Sequence, residues 1–376
     1  MSGRLLPAPS RIALSRGTVA ALAALTLAAG AVTTLAPDAR AATTSTTLET
    51  STRDSAESVQ YVQDSLYAAG DTGYLHRRAL ADGSPGPYTW RGYDGSEQAL
   101  DAYSGALPGE YGYYGAGTDV LHTSASTSGQ VQLRDMATGR LIDVTLPEGQ
   151  YIVAAFGSTL ITKEYNEVWQ TARLHILRTS DGGATVTDIP VDPPESQFFN
   201  DQPVLAGDGK SALIRLRHAY DIGLLDLTTG ALTTINAHHA VDEPLRLQAA
   251  LSPTHIAWYE EGTTQARVVR RDDPTGAQTV VAVPQSGTDT PFVGLAGEWL
   301  LTAYRPASGT PAGPGAPLLA TPLQGGDPRT LLAAAEPQIA QIPGGGAIAV
   351  GQSADGGWSA HRVVVSRNGK LSVQAL

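Results

Sequence analysis

The chain of 376 residues contains no cysteine. That excludes a disulfide framework, a thiolate metal site, a cysteine nucleophile and a lipid-bearing cysteine. A chain of this length does without disulfides because it can bury a large core. Lysine is nearly absent, three residues against 22 arginines, a bias that carries no mechanism by itself. Basic residues are outnumbered, 25 Lys and Arg against 36 Asp and Glu, for a formal net charge of −11. An acidic protein is repelled by phosphate backbones, which argues against a nucleic-acid partner. A long 3.6-residue apolar pattern is missing too, and no apolar run after the first forty residues approaches a membrane span.

What is present begins with an export signal. Arg4, Arg11 and Arg16 form a positive leader, residues 18–36 form an apolar run, and Ala39-Arg40-Ala41 offers small residues at a cleavage site. Cleavage after Ala41 by the general secretory route is expected, with an uncleaved anchor as the alternative. The leader has no Arg-Arg pair, so the twin-arginine route is not indicated. Cleavage would remove four Arg and one Asp and take the formal net charge to −14. The domain reading is a signal peptide at 1–41, a Thr/Ser-rich linker at 42–56 and one domain at 57–376. The expected product is secreted, extracellular and monomeric, with no stable membrane insertion after cleavage.

Beyond the linker, strand-like runs alternate with turn residues. A turn glycine follows one strand and precedes a short β-branched strand at Gly95, Gly139, Gly183, Gly230, Gly276, Gly326 and Gly369. Successive spacings are 44, 44, 47, 46, 50 and 43 residues. A period of this size matches one four-stranded propeller blade per repeat. Residues 202–237 parse in full as strands a (202–209), b (211–219), c (220–230) and d (231–237). Their inner strands are apolar on both faces, as sheets packed on both sides require. The fold class is therefore all-β, a seven-bladed β-propeller with four antiparallel strands per blade. Radial packing hides the faces of each small sheet and leaves only short outer edges. The ring closes either by packing of blades 1 and 7 alone or with an outer strand from residues 45–50. The first blade is expected to begin near Val59.

The 202–237 period resembles the TolB-type propeller repeat. Ala206-Gly207-Asp208-Gly209-Lys210 stands for its Ser-Pro-Asp-Gly-Lys turn, and Asp226-Leu227-Thr228-Thr229-Gly230 for its Asp-x-x-Thr-Gly turn. The resemblance implies a fold rather than an activity. Thr179-Ser180-Asp181-Gly182-Gly183-Ala184-Thr185-Val186 looks like an Asp-box, with Val186 in place of the aromatic, and Ser353-Ala354-Asp355-Gly356-Gly357 is a partial second copy. Such boxes stabilise turns, the carboxylate accepting backbone N–H bonds. The whole layout is similar to secreted actinobacterial propeller proteins, including the propeller region of those that carry FG-GAP or VCBS repeats. No D-x-D-x-D-G calcium loop is present, so calcium is not carried over.

Sialidases are Asp-box propellers, and that resemblance implies a triad of arginines, a Tyr/Glu nucleophile and an acid Asp. The opening Arg-Ile-Pro signature is missing, and the arginines at 77, 78, 91, 215, 217, 270 and 271 mostly alternate on strands as solvent-facing positions. Ligands are expected on the face built by the d-to-a and b-to-c connections. Candidate binding residues there are Tyr111, Tyr113 and Tyr114, then Glu164, Glu167 and Trp169, then Phe198, Phe199 and Asp201. Aromatic faces stack on sugar rings while carboxylates accept hydroxyl protons, and the same set suits a protein partner. For Phe198 and Phe199 the favoured reading is that of plugs packing loop against blade. His238 and His239, near Asp242 and Glu243, lack the helical spacing of a zinc pair and read as a solvated loop. No nucleophile elbow, phosphate loop or dinucleotide fingerprint occurs. The sequence thus points to a secreted, non-catalytic propeller that binds an extracellular polysaccharide or protein, without cofactor or metal. The alternatives are a carbohydrate-active hydrolase or lyase of sialidase-like type, or a structural module of a larger assembly.

Overall fold

The computed structural model describes residues 64–376 apart from 81–83, 101–113, 116, 125–128, 167–170, 180–185, 191–197, 200–202, 217–221, 236–246, 288, 307–314 and 353–357. The signal, the linker and residues 57–63 lie outside the described residues, as do both Asp-box-like turns.

Every described element is a β-strand, and the strands form seven antiparallel sheets in strict chain order. Blade 1 holds β1 (Asp64–Ala69), β2 (Gly73–Ala79), β3 (Pro85–Gly92) and β4 (Glu97–Ala99). Blade 2 holds β5 (Tyr114–Gly115), β6 (Val120–Ser124), β7 (Gln130–Asp135) and β8 (Leu141–Thr145). Blade 3 holds β9 (Gln150–Phe156), β10 (Thr159–Asn166), β11 (Thr171–Thr179) and β12 (Val186–Pro190), with the short β13 (Phe198–Phe199) paired to β11. Blade 4 holds β14 (Val204–Gly207), β15 (Ser211–Arg215), β16 (Ile222–Asp226) and β17 (Leu232–Ile235). Blade 5 holds β18 (Leu247–Leu251), β19 (His255–Glu260), β20 (Gln265–Arg270) and β21 (Thr279–Ala282). Blade 6 holds β22 (Thr290–Ala296), β23 (Trp299–Arg305), β24 (Leu318–Pro322) and β25 (Arg329–Leu332). Blade 7 holds β26 (Ala335–Gln341), β27 (Ala347–Gln352), β28 (Trp358–Val365) and β29 (Leu371–Ala375).

The first strands of the blades touch one another in sequence and close a circle. β1 packs on β5, β5 on β9, β9 on β14, β14 on β18, β18 on β22, β22 on β26, and β26 back on β1. All seven glycines of the repeat fall between the third and fourth strands of their blades. The seven-bladed propeller expected from their spacing is the fold of the chain.

Two-residue alternation builds the core. In β19, Ile256 and Trp258 face blade 4, while Ala257 and Tyr259 face blade 6. Each blade interface has its own cluster of buried side chains, from Ala68, Leu75, Trp90 and Leu121 between blades 1 and 2 to Leu66, Tyr74, Ile348 and Val350 between blades 7 and 1. Blades 7 and 1 each supply four strands of their own and close by packing; residues 45–50 lie outside the described part.

The turns follow side-chain chemistry. Asp226 Oδ1 accepts from the N–H groups of Thr228 (2.7 Å) and Thr229 (2.8 Å), and Gly230 N–H returns to the Asp226 carbonyl at 2.9 Å. Gly230 has φ 79°, a left-handed conformation that a Cβ would strain. Partial burial raises the Asp226 pKa, but the N–H donors of Thr229 and Thr228 outweigh it, and the net displacement is below the ordinary range. Asp135 caps the matching turn of blade 2 through Ala137 and Thr138.

Polar clasps join the blades. The channel-side edge of an innermost strand has N–H and C=O groups with no strand to pair them. Gln341 of blade 7 donates Nε2 to Leu295 O (2.6 Å) and accepts from Leu295 N (3.0 Å) in blade 6. Gln248 makes the same two-way contact from blade 5 with Pro291 O (2.8 Å) and Val293 N (3.1 Å) of blade 6. Gln338 Oε1 accepts from Leu66 N at 2.6 Å across the junction of blades 7 and 1. Arg271 of blade 5 pairs with Asp208 of blade 4 and also donates to Ser211 Oγ and Ser252 O, both at 3.2 Å.

The arginines depart from the expected solvent-facing alternation. Arg271 is mostly buried in its pair, Arg215 donates Nη2 to Leu247 O of the next blade at 3.1 Å, and Arg77 stacks 4.8 Å over the Tyr88 ring. At the blade interfaces a guanidinium finds backbone and carboxylate acceptors on the neighbouring blade. Arg270 does face solvent, paired with Asp272.

Candidate functional site

Seven inner strands around one axis leave a central space. A cavity of about 650 Å³ occupies it, and every blade contributes wall from its first strand or the residues flanking it. Residues 67–69 line it from blade 1, Tyr114, Gly115 and Gly117 from blade 2, 152–154 from blade 3, 203–207 from blade 4, Ala249 and Ala250 from blade 5, Val293 and Gly294 from blade 6, and 339–341 from blade 7. Gly117 lets blades 2 and 4 approach: a Cβ there would sit 2.3 Å from Gly207 O, and its φ is 86°.

The wall is uneven around the axis. Blades 4 to 7 present Val204, Leu205, Ala206, Ala249, Val293, Ile339 and Ala340, with Gln341 as the polar exception. Blades 1 to 3 present Tyr67, Tyr114, His122 and Lys163. Tyr67 packs edge-on to Tyr88 at 5.0 Å between centroids. Burial and the neighbouring Tyr67 push the Tyr88 phenol above its ordinary pKa, so it remains a neutral hydroxyl. The Tyr114 ring lies 5.6 Å from the His122 ring. His122 is 5% exposed, and burial lowers its pKa to about 4, so the imidazole is neutral at physiological pH. Its Nδ1 has no hydrogen-bond partner. Lys163 is the one lysine or arginine on the wall among the described residues, and no Asp or Glu lies there.

The residues expected to bind ligand are distributed as follows. Tyr114 is the first residue of β5 rather than a loop residue; it is 54% exposed and lines the cavity. Glu164 lies inside β10, not in the b-to-c connection, because the β10–β11 ladder continues to Asn166↔Thr171. Strand alternation sends Lys163 to the cavity and brings Glu164 Oε2 within 3.6 Å of His175 Nε2. Phe198 and Phe199 form β13, hydrogen-bonded to β11, so they are strand and not loop. Tyr111, Tyr113, Glu167, Trp169, Asp201, His238 and His239 lie outside the described residues. Among the described residues no group of three or more His, Asp or Glu could hold a metal ion.

Sequence reasoning passed over Tyr67, His122 and Lys163. Each comes from a different blade, and only closure of the ring brings them together. The available signal was the scarcity of lysine.

Architecture and cavity together define the chain as a seven-bladed β-propeller with an axial cavity. No protein-family model and no curated protein matches its sequence. Among solved structures it is similar to the oligogalacturonate lyase from Vibrio parahaemolyticus, with 10% identity, 82% of this chain and 98% of that chain covered, and a TM-score of 0.48. It is also similar to oligopeptidase B from Leishmania major, with 13% identity, 84% and 48% covered, and a TM-score of 0.46. For TolB from Acinetobacter baumannii the figures are 14%, 83%, 78% and 0.37. The chain spans about half the length of oligopeptidase B. The likeness is one of fold alone.

Proposed function

We propose that the protein is an exported, non-catalytic propeller that binds an extracellular partner, a protein or a carbohydrate, at the end of the ring where the d-to-a and b-to-c connections lie. The observation that carries this reading is the mouth of the axial cavity, where Tyr67 and Tyr114, 38% and 54% exposed, stand on adjacent inner strands above a concave wall. Exposed aromatic rings beside a pocket supply large contact area at low entropic cost. The volume lies inside the usual range for ligand sites, about 300–1,000 Å³. Export is supported by Arg4, Arg11, Arg16 and the apolar run that follows them.

The test is retention of the full chain on a polysaccharide array and on immobilised extracellular protein, with release of reducing ends followed in parallel. Retention without release, weakened at least tenfold by Tyr114→Ala, is the expected result. Steady release of reducing ends would replace this reading with an enzymatic one. Export is checked by N-terminal sequencing of the secreted chain, which should begin at Ala42.

A further inference from the structure

Beside the mouth of the axial cavity, three side chains from successive strands gather on the face of blade 1 turned toward blade 2: Tyr67 of β1, Arg77 of β2 and Tyr88 of β3. Tyr88 packs on that face with Leu75 and Trp90, and Arg77 is its cross-strand partner. The β1–β2 ladder skips Tyr67, because Leu66 pairs with His76 and Ala68 with Leu75. Such a bulge re-aims a side chain. The Tyr67 ring reaches across β2 and meets the Tyr88 ring edge-on at 5.0 Å. The Arg77 guanidinium lies over the Tyr88 ring at 4.8 Å. Its Nε donates to Gly86 O at 2.7 Å, and no Asp or Glu pairs with it among the described residues, so both Nη groups are left for a ligand. Tyr114 of blade 2 adds a platform. Its ring is 54% exposed, with His122 on one side at 5.6 Å. Burial first, then Tyr67 and Tyr114, raise the Tyr88 pKa while Arg77 lowers it, so the four side chains lie within one another's reach.

This corner discriminates between ligands. An unpaired guanidinium favours an anionic acceptor, and its two Nη groups match the two oxygens of a carboxylate. The Tyr67 and Tyr88 hydroxyls bond to each other. One donates to the other, so one hydroxyl proton remains for a ligand oxygen. A carboxylate borne on a pyranose ring uses both parts of the site, the acid on Arg77 and the C–H face of the ring on Tyr114. An Asp or Glu side chain of a protein has no ring to lay there. The formal net charge of −11 repels a dense polyanion, so the corner suits single acid units set among neutral sugars. We propose that the mouth binds an acidic carbohydrate, one uronic acid carboxylate held by Arg77 and the Tyr67–Tyr88 hydroxyl pair, with its ring stacked on Tyr114. The inference rests on the mouth being the binding site, as in the proposed function, and narrows the partner to one class of glycan.

Isothermal titration of the full chain with methyl β-glucuronide and methyl β-glucoside tests it. The glucuronide should bind at least fivefold more tightly at low ionic strength. Arg77→Gln should erase that preference and leave the glucoside unchanged, a split that loss of a merely structural contact would not produce. Tyr67→Phe keeps the ring, removes one hydroxyl and should weaken the glucuronide at least twofold. Tyr114→Ala should weaken both glycosides. Added salt should weaken the glucuronide and spare the glucoside, a readout that needs no variant to fold. Equal binding of the two glycosides, or a preference that survives Arg77→Gln, overturns the proposal. A glutamate-rich peptide bound through Arg77 as tightly as the glucuronide overturns it too, because the sugar ring would then count for nothing. Retention of neutral glycan or protein that is lost in Tyr114→Ala, with no preference for the glucuronide, overturns it while leaving the proposed function standing. Retention independent of Tyr114, with neither glycoside bound, sinks both.

Discussion

Replacing Arg271 with methionine tests the reasoning about how neighbouring blades are joined. The Asp208 and Arg271 side chains are 7% and 16% exposed, and Arg271 also donates to Ser211 Oγ and Ser252 O. Asp208 in turn accepts from Lys210 N and Ser211 N through Oδ1, both at 3.0 Å, so one carboxylate caps its own hairpin and holds the next blade. Removing one member of a buried pair costs about 3–5 kcal/mol, because the partner keeps its desolvation penalty without its counter-charge. The residual exposure of Arg271 and the intact Oδ1 bonds place Arg271→Met at the low end, about 3 kcal/mol. At roughly 2 °C per kcal/mol for a domain of this size, the midpoint of thermal unfolding should fall by about 6 °C. Asp208→Asn with Arg271→Met keeps the cap and removes both charges, so the double variant should recover most of the loss. The assay is thermal unfolding by circular dichroism across the double-mutant cycle. A shift below about 1 °C for Arg271→Met, or additive single effects, would refute the assignment of the pair as an inter-blade fastener.

Two further outcomes follow from groups described by the structure. Burial raises the Glu336 carboxyl from the ordinary range to about 7, and its Oε1 has no hydrogen-bond partner. A raised carboxyl pKa means the native state holds a proton that the unfolded chain releases. The wild type should therefore lose stability relative to Glu336→Gln as pH rises from about 4.5 to about 7, then stay level, in thermal melts across pH 4–8. Gln341→Met removes both contacts to Leu295, leaving an N–H and a C=O unpaired at a cost of about 1–3 kcal/mol, measurable as a lower urea midpoint with unchanged slope.

The architecture was legible because its signals are local. In blades 2 and 4 a glycine in left-handed conformation, Gly139 or Gly230, follows an aspartate that caps the same hairpin and precedes a short strand, and these features depend little on the rest of the chain. The site was far less legible. Lys163 and Glu164 are adjacent and equally polar, and only the curvature of the finished ring decides which of them meets the axis. Tyr114 was singled out as a loop residue, yet it opens an inner strand, because a two-residue strand leaves no periodic signature. The arginines misled for the opposite reason: alternation on a strand was read as alternation between core and water, whereas both faces of a blade are covered by neighbouring blades.

Every described sheet is a contiguous stretch of chain, and the meeting of β26 with β1 uses an apolar cluster, as every junction does, and a glutamine clasp, as the junctions of blades 5–6 and 6–7 do. Among the described residues such a circle has no master lock. Its described circumference is held by adhesion between look-alike sectors, so the number of sectors is set by the angle at which they nest. Growth or shrinkage of the molecule by one whole sector is the change this construction resists least.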